Sequence, residues 1–147
     1  MPRAKRIVIR PGPYRFQYAA KFICTSNFPG TSQTTASFLP GNYQTVVNVH
    51  NPGSRRIKFR AKVALGGSGL ISRFIDGKLG PDEVTRFVCP DIREKFGLRL
   101  IHGAEGFLVI ESTHSLDVIA VYTAGPVHGG VASIDVEQVR ERPLPVQ

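Results

Sequence analysis

Residues 56–65 alternate with a period of two. Ile57, Phe59, Ala61, Val63 and Leu65 fall on one side, and Arg56, Lys58, Arg60 and Lys62 on the other. Successive side chains of a β-strand point to opposite faces, so this stretch reads as a half-buried strand, oily inside and cationic in water. Residues 43–49 repeat the pattern, with Tyr43, Thr45, Val47 and Val49 against Gln44, Val46 and Asn48. Between them lies Asn51-Pro52-Gly53-Ser54, in which Pro presets φ and Gly accepts φ > 0 as a type II turn requires. The two strands are expected to pair as a hairpin across that turn.

The rest of the chain is punctuated in the same way. Residues 16–25 read as an aromatic-rich strand, 30–42 as a loop, and Gly66-Gly67-Ser68-Gly69 as a hairpin loop. A short strand is expected over 70–75, a turn at Gly77 and Leu79-Gly80-Pro81-Asp82, and a strand over 84–88. Asp91 is placed to cap one or two helical turns ending at Gly97. Strands follow at 107–111, 116–124 and 131–139. The 116–124 strand is apolar on both faces, the mark of a central strand covered on both sides. In the last strand Ile134 and Val136 occupy one face, with Asp135 and Glu137 outward on the other. Seven or eight short strands and one short helix give an all-β, single-domain antiparallel β-sandwich or small barrel over residues 16–140. It is preceded by a Pro-broken basic arm, 1–15, and followed by an extended tail, 141–147.

A length of 147 residues suits one domain with a real core. No stretch approaches the ~20 apolar residues of a membrane helix. The basic N-terminus lacks the apolar run of a secretory signal. A cytoplasmic protein without membrane insertion is therefore expected. Cys24 and Cys89 sit in apolar contexts with no Cys-x-x-Cys spacing, so reduced, buried thiols are expected, and a single disulfide stays open.

Charge is unevenly spread within a net of +8. Residues 1–75 hold twelve cations and no acid, while 76–147 hold all eleven acids and seven cations. Either a basic face binds an acidic protein, nucleic acid or acidic glycan, or basic strands lie beside acidic ones, with Asp135 and Glu137 as candidate partners. Arg56, Lys58, Arg60 and Lys62 recur roughly every 6.6–6.8 Å, close to the spacing of phosphates along a single strand. Aromatic residues do not interleave with them in the sequence, so polyanion binding through this stripe is expected to be weak and sequence-independent.

Catalytic patterns are lacking. The histidines His50, His102, His114 and His128 form no close-spaced ligand pair. The weak metal candidate is a convergence of His50, Glu111 and His114. Glu111 and Asp117 flank one turn but read as solvated acids. The Gly66–Gly69 run does not lead into a helix, as a phosphate cradle would. No cofactor and no enzymatic activity are expected.

Several segments carry a resemblance: Tyr43-Gln-Thr-Val-Val-Asn-Val-His-Asn-Pro-Gly53, Ile71 to Glu83, Cys89-Pro-Asp-Ile92 and Gly106 to Ala124. They are similar to a group of uncharacterised small bacterial proteins and, more distantly, the order of parts resembles the sensory rhodopsin transducer family. The resemblance implies an all-β sandwich that forms oligomers. Members of that family are associated with a membrane photoreceptor and with nucleic acid or sugar binding. The expected function is therefore a non-enzymatic structural or interaction module that self-associates into a homo-oligomer. Arm or strand exchange would engage Ile7, Val8, Ile9, Leu144 and Val146, in the manner of strand addition to a sheet edge. The alternatives are a polyanion binder on the basic stripe and a metal- or small-ligand-binding barrel.

Overall fold

The computed structural model describes residues 13–31, 36–67, 69–99 and 103–145. Its strands are β1 (Phe16–Asn27), β2 (Gly41–His50), β3 (Ile57–Leu65), β4 (Ile75–Leu79), β5 (Val84–Phe87), β6 (Ala104–Ser112), β7 (Asp117–Gly125), β8 (Ser133–Gln138) and β9 (Glu141–Pro143). The single helix among the described residues, α1, spans Asp91–Glu94. All pairings are antiparallel. One layer, sheet A, runs β4-β3-β6-β1-β9, and the other, sheet B, runs β5-β2-β7-β8. The end of β1 leaves sheet A to pair Thr25–Asn27 with Gly41–Tyr43 of β2, which makes the two layers one folded-over sheet.

The β3 alternation is realised as read. Ile57, Phe59, Ala61 and Val63 are buried, while Lys58 is exposed. They meet Tyr18, Ala20 and Phe22 of β1, Leu108 and Ile110 of β6, and the sheet B residues Val47, Val49, Val118 and Ala120 in a single core. Phe59 of sheet A meets Phe87 of sheet B edge-on, with ring centroids 6.5 Å apart. Phe96, just after α1, packs on Phe87 from outside the sheets.

The expected hairpin between residues 43–49 and 57–65 does not form. Both edges of β2 are occupied, by β7 on one side and by β5 and the end of β1 on the other. The turn instead carries the chain from sheet B to sheet A. Asn51 organises it from a fully buried position. Its amide nitrogen donates to the carbonyls of Arg55 (2.8 Å), Leu79 (3.1 Å) and Gly80 (3.0 Å), and its amide oxygen accepts from the Gly53 N–H (2.9 Å). The expected type II geometry is not adopted, since Gly53 is not at positive φ; the Asn51 side chain holds the reversal instead, and its bonds to the distant 79–80 turn carry the chain into the other layer.

Gly77 is not a turn residue but the middle of β4, opposite Phe59. A Cβ there would lie 2.2 Å from the Phe59 ring, so glycine is required by the aromatic cover rather than by a bend. Of residues 70–75, Ile71 makes an isolated bridge to Ala64, and β4 begins at Ile75. Gly97 ends the helical segment at φ +68° as expected. Asp91 is not the cap. It is the first helical residue, and its carboxylate accepts from the Val88 N–H at 2.8 Å.

The cysteines are joined: Cys24 and Cys89 form a disulfide with a Cα–Cα distance of 5.5 Å. This corrects the expectation of two reduced thiols. The residues are 65 apart in sequence, but β1 and β5 flank the same side of β2, and that shared neighbour brings them together. The disulfide runs against the cytoplasmic expectation, since disulfides persist mainly in oxidising compartments. No helix among the described residues is long and apolar enough to cross a membrane.

The segment read as a tail is extended, and its first three residues pair with β1 as β9. Tyr18 fastens this join. Its hydroxyl donates to Glu141 (2.6 Å) and accepts from the Leu116 N–H (2.7 Å), and burial first, then Glu141, pushes its pKa up to about 12.

Candidate functional site

The sequence offers two candidate sites, the cationic stripe and the His50–Glu111–His114 set. The register shows what becomes of each. On the outer face of sheet A, Arg60 lies between Asp76 of β4 and Glu111 of β6. Its guanidinium donates twice to one carboxylate oxygen of Glu111, from Nε at 2.8 Å and from Nη2 at 2.6 Å, and Gln17 donates to the other oxygen at 3.1 Å. The guanidinium also rests against the rings of Phe74, 4.0 Å from the centroid, and Tyr14, 4.5 Å. Lys62 lies over the same Phe74 ring at 4.7 Å. Aromatic residues do interleave with the cations, but they come from 14 and 74 through the fold, not from the strand itself.

The stripe is therefore not a uniform row of free charges. Arg60 neutralises a buried Glu111. Lys58 stands opposite Lys78 of β4, and Arg56 precedes the strand and is exposed. Asp135 and Glu137 are not its partners, for they lie on β8 in the other layer, where Glu137 accepts from the Tyr122 hydroxyl at 3.2 Å.

The metal candidates are not brought together. Glu111 points outward from sheet A and is engaged by Arg60 and Gln17. His114 is exposed in the β6–β7 turn, with Nδ1 3.0 Å from the Thr113 hydroxyl. His50 ends β2 in sheet B, with Nδ1 2.8 Å from Asp117 and Nε2 3.3 Å from Asp82. Hydrogen bonding to Asp117, followed by that to Asp82, holds the imidazole pKa above its usual value. No cluster of three or more ligating side chains suited to a metal occurs among the described residues.

A different surface emerges on sheet B. Opposed residues of an antiparallel pair share a face. The register sets Val46, Val121 and Val136 in one row, Gln44, Thr123 and Ile134 in the next, and Arg86, Asn48, Ile119 and Gln138 on the other side, with the exposed Arg86 at the β5 edge. The centre of this outer face is thus Val46, Ile119, Val121, Ile134 and Val136, without a charged group. Ile134 and Val136 are 65% and 62% exposed, which corrects their reading as the inner face of the last strand. All six residues of β8 are exposed, so neither of its faces is covered. The inner face of β7 is covered as predicted, with Val118 and Ala120 buried, while Ile119 and Val121 on its outer face are only half-buried.

Of the self-association candidates, Ile7, Val8, Ile9 and Val146 lie outside the described residues. Leu144 is half-buried, and its N–H donates to the Arg15 carbonyl at 2.8 Å, alongside its own β1. Sequence reasoning missed the sheet B patch because it took the doubly apolar 116–124 run as evidence of a second covering layer within the chain.

No family model matches the chain, and no curated protein matches it. Among solved structures, that titled Crystal Structure of Thermotoga maritima 1070 superposes with a TM-score of 0.52 at 9% identity, covering 90% of this chain and 96% of that one. At that identity the likeness concerns the fold alone.

Proposed function

We propose that this protein is a non-enzymatic interaction module that self-associates through the outer face of sheet B. The observation that carries this reading is β7, a central strand apolar on both faces of which only one is covered. Strands of that composition belong between two layers, and a contiguous exposed apolar patch on a soluble domain marks an interaction surface. A second copy is the occupant that the charge distribution favours. Molecules of net charge +8 repel through most of their surface, but the Val46–Val121–Val136 row presents no cation to a like molecule. A two-fold contact would set the same patch against itself. Edge-to-edge pairing of β8 is disfavoured, since an antiparallel β8–β8 ladder brings Asp135 and Glu137 opposite one another or themselves.

The experiment is the native mass of full-length protein by light scattering after size exclusion, for wild type, Val136→Lys and Val121→Lys. Wild type is expected as an oligomer and both variants as smaller species with unchanged far-UV circular dichroism. A monomeric wild type at tens of micromolar would overturn the reading. So would variants of unchanged mass, and dissociation on deleting residues 1–12 alone would transfer the contact to the arm.

A further inference from the structure

The outer face of sheet A holds a second feature, independent of the sheet B patch. Across β3, β6 and β1 the register sets Ala64, Phe107 and Lys21 in one row and Lys62, Val109 and Ala19 in the next. Each of these two large side chains of the central strand has an alanine on one side and a lysine on the other, and over the alanines Phe107 and Val109 form the floor of a shallow depression of about 580 Å³. Arg140 and Arg142 wall it on the β9 side. Phe107 is 46% exposed although it sits mid-sheet.

The charges around this floor do not balance. Glu105 is taken by Lys21, whose ammonium also lies 5.3 Å from the Phe107 ring centroid. Glu111 is taken by Arg60, and Glu141 accepts from the Tyr18 and Ser115 hydroxyls. Arg142 donates to the Gln17 amide oxygen at 3.0 Å, and among the described residues neither Arg140 nor Arg142 forms an ion pair. Two uncompensated guanidinium groups, two residues apart, thus stand beside an exposed apolar floor. Guanidinium forks match carboxylates in geometry as well as charge. A pocket of this size, mainly apolar with a few convergent polar groups, suits a small ligand.

We propose that this depression binds a small amphiphilic carboxylate, with its aryl or short acyl body on Phe107, Val109, Ala19 and Ala64 and its carboxylate held by Arg140 and Arg142. Charge complementarity selects the anion, and the apolar floor selects an anion that carries a hydrocarbon body. The site is open, so an affinity of about 0.1–1 mM is expected.

The test is titration of 4-phenylbutyrate into ¹⁵N-labelled full-length protein, read by amide chemical shifts. Two controls each remove one feature: 4-phenylbutanamide lacks the charge, and acetate lacks the body. Saturable shifts are expected at 17–21, 62–65, 106–110 and 139–143, with both controls at least tenfold weaker. The Arg140→Gln/Arg142→Gln variant and, separately, Phe107→Ser should each weaken phenylbutyrate at least tenfold at unchanged thermal midpoint. All three side chains are exposed, so these variants keep the fold. Absence of saturable shifts, equal binding of the amide, equal affinity of the double arginine variant, or shifts centred on Lys58 and Lys78 would each overturn the proposal.

Discussion

At the scale of single residues, charge matters more through its partner than through its count. Arg60 belongs to a cationic stripe in the sequence, yet in the fold it is the counter-ion of Glu111, which is 6% exposed. Removing the guanidinium would leave that carboxylate without its counter-ion, with the Gln17 amide as its remaining side-chain donor. Arg60→Gln is therefore expected to cost about 1–3 kcal/mol in urea unfolding, less than for a fully interior pair because Arg60 is about a third exposed. Lys58→Gln on the same face should change stability by less than about 0.5 kcal/mol. His50 gives a pH signature. Its folded pKa is raised, so the stabilisation it adds is fully present below the unfolded value near 6.5 and is lost as pH rises through the folded value. The thermal midpoint of wild type minus that of His50→Gln should accordingly fall as pH is raised from 5.5 to 8.5. A difference that is flat or rising would show that Asp117 and Asp82 do not favour the charged ring.

At the scale of elements, what was legible in the sequence was the local pattern. The faces of β3 and the stop at Gly97 follow from period and φ preference, which act over a few residues, whereas at Asn51–Ser54 the place of the reversal was legible but its type was not, because Asn51 side-chain bonds rather than a positive φ at Gly53 hold it. What was not legible was partner choice. The same alternation that specifies the inner face of β2 fits a hairpin with β3 or a place between β5 and β7, and only the sum of distant contacts selects. The disulfide is of the same kind, since Cys24 and Cys89 meet through their common neighbour β2. The Arg140–Arg142 wall was hidden because β9 is three residues long and carries no strand pattern. Closing a loop between cysteines 65 apart constrains the unfolded chain, and loop-closure entropy puts the effect at about 4 kcal/mol. Reduction, or Cys89→Ala, is expected to lower stability by roughly 2–4 kcal/mol in denaturant melts under matched conditions. A loss below about 0.5 kcal/mol would mean that the bridge is incidental to the fold.

At the scale of the whole molecule, the two outer faces differ in kind. Sheet A presents cations and aromatic rings arranged around a small apolar floor, and sheet B presents an aliphatic centre bordered by Arg86 and by the His50–Asp117 pair. If the latter joins copies, the thermal midpoint of wild type should climb with protein concentration by mass action, and that of Val136→Lys should not. The major ladders, β1 with β6, β2 with β7 and β3 with β6, join segments far apart in the chain. Such non-local pairing places folding in the slow, millisecond-to-second class of β domains. The strap formed by β8, Val139 and β9 adds a further consequence. It lies on β7 in one layer and on β1 in the other, with the Val139 N–H donating to the Val118 carbonyl between them. Until residues 133–143 have left the ribosome, both of those strands keep an open flank, so a nascent chain halted before that point would be the form most exposed to aggregation and most in need of a chaperone.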